Sequence, residues 1–230
     1  MTPSNSGTVL SVLALVGTGF ILICATCLAI LATVSRNRRL ARLAIGGGAG
    51  LAAVYAIALV VGGAASGNRV LQPGEEKYFC ELDCHLAYSV TALRPMTGVA
   101  EAKGVVWAVT IRTRFDERTI SSRRSREAPL SPNPRRAALV AADGAEFPPL
   151  PATLDQLSAL GISSTPLTQK LRPGEAFTTT LMFDLPAGAV PASLDLVEDI
   201  LPTRLMIGHE RSPFHGSARL ALPGALARAQ

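Results

Sequence analysis

Charge is missing from the start of this chain: no Asp, Glu, Lys or Arg precedes Arg36, and none stands between Leu43 and Asn68. Two uncharged apolar stretches of that length exclude a soluble N-terminal domain, whose surface helices keep a polar face. Aromatic residues make up only 5% of the chain, and none interleaves its arginines, which excludes the base-stacking platform of a single-stranded nucleic-acid binder. No Gly-x-Ser-x-Gly elbow, His-Glu-x-x-His or phosphate loop occurs, so no catalysis is expected and no cofactor is implied.

The apolar stretches themselves are the firmest positive signal. Residues 9–34 and 43–65 each exceed the roughly twenty apolar residues that a bilayer-spanning helix needs. They are separated by Ser35-Arg36-Asn37-Arg38-Arg39-Leu40-Ala41-Arg42. Short arginine-rich loops stay on the cytoplasmic side, so residues 1–66 read as a transmembrane helical hairpin in the cytoplasmic membrane with both termini outside. A secretory signal would show a basic start and a shorter apolar core, so the first span is expected to be retained. Gly46 and Gly50 stand at small-xxx-small spacing, which predicts close packing of the second span on the first, with Gly17 and Gly19 as partners.

Residues 67–230 form the expected extracytoplasmic domain. Four of the 22 basic residues lie in the hairpin loop, leaving 18 against 17 acids, so this domain is nearly neutral and nucleic acid is not a partner. The bilayer is one expected partner, and an unidentified protein or envelope component is the other. Arginines 112, 114, 118, 123, 124, 126, 135 and 136 form the main basic cluster. Arg118, Arg123, Arg124 and Arg126 are candidates for contact with an anionic surface. The competing reading of Thr119 to Pro134, rich in Ser, Arg and Pro, is a solvated loop between strands.

Alternation with period two dominates this domain. Val105, Trp107, Val109, Ile111, Thr113 and Phe115 share one strand face, Phe177 to Leu185 repeat the pattern, and Leu86, Tyr88, Val90 and Ala92 make a third. Residues 137–142 and 217–222 are shorter candidates. Asp195, Glu198 and Asp199 read as the solvent side of a Leu-rich strand. Two phrases, Leu71-Gln72-Pro73-Gly74-Glu75 and Leu171-Arg172-Pro173-Gly174-Glu175, predict type II turns ahead of strands. A single helical turn is expected at residues 155–160.

Strands separated by Pro and Gly predict an all-β sandwich. Pro-Gly-Glu before a strand, Phe183-Asp184-Leu185-Pro186, and Asp143-Gly144-Ala145-Glu146-Phe147 resemble the immunoglobulin-like domains of bacterial membrane-anchored and surface lipoproteins. That resemblance implies an immunoglobulin-like sandwich in families mostly of unknown function. The two-span anchor departs from the lipoprotein pattern.

Reactive side chains concentrate in Cys80-Glu81-Leu82-Asp83-Cys84-His85. Haem attachment uses Cys-x-x-Cys-His, and this stretch has one residue too many. Outside the cytoplasm, paired cysteines oxidise, so Cys80 and Cys84 are disulfide candidates. An extended strand would hold their Cα atoms about 13 Å apart, whereas a disulfide needs about 5.5–6 Å. The bond therefore requires residues 81–83 to turn tightly between the arms of a hairpin. The alternative is a redox or metal centre. The Cys-x3-Cys interval resembles the copper loop of cupredoxin-like domains, which implies soft ligation by Cys80, Cys84 and His85, with His209, His215 and Met206 within reach through folding.

Overall fold

A computed structural model describes residues 5–80, 85–97, 103–152 and 154–224. It contains two long apolar helices followed by a sandwich-like domain of two sheets. Helix α1 spans Asn5–Val34 and α2 spans Arg38–Ala64. Between them Arg36 takes a left-handed φ of 56°, and the Asn37 side chain accepts the Leu40 N–H at 3.1 Å to cap α2. Three residues thus reverse the chain and set the helices side by side.

The contact between these helices differs from the expectation. A Cβ at Gly46, Gly50, Gly17 or Gly19 would meet nothing within 4 Å, whereas one at Gly48 would lie 3.5 Å from Ala25 Cβ. The Gly46/Gly50 face points away from α1, and Gly48 provides the close approach. A helix turns about 100° per residue, so a two-residue change of position moves the contact to the opposite face.

Two compact units emerge. The first joins the hairpin, through Gly67, to a later segment, Leu201–Gly216; the second comprises Asn68–Ile200 and the chain from Ser217. Strands of the second unit are β1 Arg69–Leu71, β2 Lys77–Cys80, β3 His85–Met96, β4 Val105–Asp116, β5 Arg135–Ala141, β6 Glu146–Phe147, β7 Ala176–Leu185, β8 Pro191–Glu198 and β9 Ala218–Ala221. Among the described residues, one sheet has the order β1-β9-β8-β5-β6 and the other β2-β3-β4-β7. All pairings are antiparallel except β1 with β9.

The core lies between the sheets. Leu86, Tyr88, Ile111, Phe115, Phe183 and Leu185 come from one, and Leu139, Leu194, Leu196 and Leu220 from the other. In β3 the register shifts between Val90 and Ala92, so Leu93 rather than Ala92 packs toward the core beyond this bulge. Helix α3, Leu154–Ala159, covers the other face of β4 and β7: Leu157 and Ile162 pack on Val106 and Met182. Both Pro-Gly phrases form the same turn. Gly74 and Gly174 have φ of 91° and 81°, and Glu75 and Glu175 donate their N–H to Gln72 and Arg172 at 2.9 and 3.0 Å. Each glutamate also accepts, through Oε2 at 2.7 Å, the N–H of the residue that receives its own.

Candidate functional site

Strands β2 and β3 pair as antiparallel neighbours. Cys80 ends β2 and pairs with His85, which opens β3, and His85 pairs in turn with Asp116 of β4. Register therefore sets Cys80, His85 and Asp116 abreast on one sheet face. Asp116, remote in sequence, was not among the expected site residues. Cys84 and residues 81–83, with the expected Cys80–Cys84 disulfide, lie outside the described residues; the described cysteines 24, 27 and 80 are not joined to one another.

His85 is buried, 5% exposed, with its N–H donated to Thr119 Oγ1 at 2.9 Å and its ring edge-on to Tyr78 at 6.3 Å. Burial lowers its pKa, and the Asp116 carboxylate opposes that shift only in part. Its Nδ1 has no hydrogen-bond partner among the described residues.

Around it runs a chain of ion pairs. Arg114 grips Glu76 with two bonds, Nε to Oε1 at 3.0 Å and NH2 to Oε2 at 2.6 Å, and lies 3.4 Å from Asp116. Arg118 holds Asp116 from the other side, Nε and NH2 each at 3.1 Å. Tyr78 donates its hydroxyl to Glu76 at 2.8 Å. Hydrogen bonds from Arg118, then from Arg114, hold the Asp116 carboxyl well below the ordinary carboxylate range. Those from Arg114 and Tyr78 lower Glu76 as well. Burial and the neighbouring Glu76 raise the Tyr78 phenol. Both carboxylates are thus weak bases.

A second charged group sits inside the sandwich. The Arg135 guanidinium is fully enclosed, 4.2 Å over the Phe79 ring and 5.5 Å from that of Tyr88, with Glu198 at 3.3 Å. Lys77 Nζ donates to the carbonyls of Leu196 and Ala218 at 2.6 and 2.7 Å, and Asn133 donates to Glu198 at 2.6 Å. These bonds tie β2 of one sheet to β8 and β9 of the other. Asp195 and Glu198 are both buried, contrary to the expected solvent side, while Asp199 is exposed. Glu198 is inside because Arg135 and Asn133 satisfy it there.

The expected basic cluster divides accordingly. Arg114 and Arg135 serve the two networks, and Arg118 is exposed but committed to Asp116. Arg124 lies over the Phe115 ring at 5.8 Å, and Arg123 and Arg126 are exposed on the irregular connection between β4 and β5. The segment is irregular apart from a short helical turn at Glu117–Thr119.

The proposed metal ligands are also distributed. His85 and Cys80 belong to the sandwich unit, and His209 and His215 to the hairpin unit. There His209 Nδ1 accepts the Arg211 N–H at 3.1 Å, and His215 Nδ1 lies 2.6 Å from the Gly216 carbonyl. Among the described residues no three His, Cys, Asp or Glu side chains are placed to share a metal ion.

No family model matches this chain, and no curated protein matches it. A secreted protein of Mycobacterium tuberculosis, MPT63, is a similar solved structure. It has a TM-score of 0.42 and 17% identity, over 58% of this chain and 92% of its own.

The hairpin unit holds a feature that sequence reading missed. Leu201–Gly216, which links β8 to β9, folds onto the helices: Ser11 Oγ donates to the Ile207 carbonyl at 2.8 Å and Tyr55 donates to that of Leu205 at 2.6 Å. Ser66 Oγ accepts the Gly216 N–H at 2.9 Å. A Cβ on Gly63 would strike the Pro213 carbonyl, and one on Gly62 would meet Ile207 Cγ2 at 3.0 Å. The Gly62-Gly63 pair was the available signal, since paired small residues at a helix end permit such an approach.

Proposed function

We propose that the helical hairpin anchors this protein in the bacterial cytoplasmic membrane and displays an immunoglobulin-like sandwich on the outside. In this reading the sandwich is a non-catalytic module for binding or envelope organisation. The observation that carries it is the pair of adjacent helices whose large apolar side chains face outward along their length, with four arginines gathered at their turn. Leu10, Leu13, Phe20, Ile23, Leu31, Leu43, Ile45 and Val54 are each exposed. Exposed apolar area of that extent is stable against lipid and costly in water. At about 1.5 Å per residue each helix reaches about 40 Å, enough for a hydrocarbon core of about 30 Å.

The arginine turn belongs on the cytoplasmic side, which puts the chain entering β1 on the other. Support for a non-catalytic role comes from the charged groups themselves. Glu76 and Asp116 are held ionised by Arg114 and Arg118, so neither has a proton to donate or useful basicity near neutral pH.

The test is membrane extraction joined to protease protection. Alkaline carbonate should leave the chain in the pellet, and protease added to spheroplasts should digest the sandwich while a tag in the 35–42 turn survives. Release by carbonate, or protection of the sandwich, would overturn the reading.

A further inference from the structure

We propose that Leu201–Gly216 is a lipid-contacting collar: a folded segment that lies in the outer boundary of the bilayer, with Leu201, Leu205 and Phe214 inserted among the acyl chains. The inference rests on the membrane reading of the hairpin and goes beyond it, since it gives a membrane surface to a loop of the sandwich strands.

Three observations converge. The first is exposure: Leu201, Leu205 and Phe214 are 74%, 51% and 75% exposed, whereas Thr203, Met206 and Ser212 of the same segment are buried. This apolar-outward arrangement suits lipid. Phe214 also has a left-handed φ of 62°, rare for a bulky residue, and its ring is directed away from the protein.

The second is depth. The segment bonds to Tyr55 and packs on Gly62 and Gly63. Along α2 these positions lie about 20 Å and about 32 Å beyond Arg42, taking about 1.5 Å per residue. A hydrocarbon core of about 30 Å that starts at the arginine turn therefore takes in the Tyr55 level and ends beside Gly62 and Gly63, so the segment spans the outer third of the core and its boundary.

The third is that much of the segment's backbone is hydrogen-bonded, as a non-helical segment that meets lipid requires. Successive turns close within the segment: Met206 to Thr203, His209 to Met206, Ser212 to His209 and His215 to Ser212, each N–H donating to the carbonyl three residues earlier. The carbonyls of Leu205 and Ile207 are taken by Tyr55 and Ser11 of the helices. Exposed Arg204, next to Leu205, meets headgroup phosphates by extending its long side chain outward from this level.

The experiment uses the full chain reconstituted in phosphatidylcholine–phosphatidylglycerol vesicles, with Phe214→Trp and Leu201→Trp as separate probes. The native Trp107, in the sandwich, supplies the background and reports folding. Each added indole should show blue-shifted emission, quenched about twofold by lipid brominated near the carbonyl end of its chains, as for interfacial aromatics. Carbonate extraction of the same vesicles is run in parallel. An integrated, folded chain whose added tryptophans ignore brominated lipid overturns the collar and leaves the anchor standing, whether the residues face water, a soluble partner or a second copy. A chain released by carbonate overturns both. Should one variant fail to fold, the other decides.

Discussion

Arg135 and Lys77 show how residue type misleads when tertiary contacts decide. Alternation assigns cations to the solvent side of a strand, yet Arg135 stacks on Phe79 and Lys77 is bonded to two core carbonyls. The long aliphatic stems fill space between the sheets while the charged heads find aromatic faces and carbonyls. Replacing Arg135 with Gln leaves Glu198 buried with less compensation. The sandwich should lose about 3 kcal/mol, the usual penalty for breaking a buried pair, in chemical denaturation followed by Trp107 fluorescence in micelles. His85 makes a pH prediction. Burial lowers its folded pKa, so below about pH 6.5 the unfolded chain takes up the proton first, and stability falls until the pH passes the folded value. His85→Asn should flatten the decline between about pH 7 and 5, before unfolded carboxylates begin to protonate. An unchanged slope in the variant would assign that decline to another group.

At the scale of elements, β4 and β7 were legible because one face of each supplies the core from Trp107 to Phe115 and from Phe177 to Leu185, although Val106 and Met182 on the other face are buried too, beneath α3. In β3 the signal holds only to Val90. One extra residue at the bulge reverses the faces, and nothing in the residue types announces it. Strand β1 was missed because three residues carry no period and its partner β9 lies at the far end of the domain. Helix spacing suffered a related error at Gly46 and Gly50, where the right motif was placed on the wrong side. Gly48→Leu should therefore widen the distance between spin labels on the two helices, and Gly50→Leu should leave it unchanged. Near the sandwich edge, a Cβ on Gly104 would collide with the Leu185 carbonyl, while its N–H and that of Lys103 are both held by Asp184 at 2.9 Å. Gly104→Ala should cost about 1–3 kcal/mol by overpacking, measured by the same denaturation assay.

For the whole molecule, the pair of long apolar helices was the most legible part, since two uncharged runs around an arginine turn need no tertiary information. The candidate site was legible only in half. The cysteine–histidine phrase marks its hairpin, but Asp116 and the arginines that hold it arrive from β4 through folding. Neutralising Arg36, Arg38, Arg39 and Arg42 together should give a mixture of topologies, read as partial protection of a C-terminal reporter in spheroplasts. The segment that returns to the helices has a consequence in time. Leu205 follows Tyr55 by 150 residues, and at synthesis rates of about 5–20 residues per second it emerges about 8–30 s later. A hairpin inserted as it is made spends that interval with Ser11, Tyr55 and the Gly62-Gly63 notch uncovered.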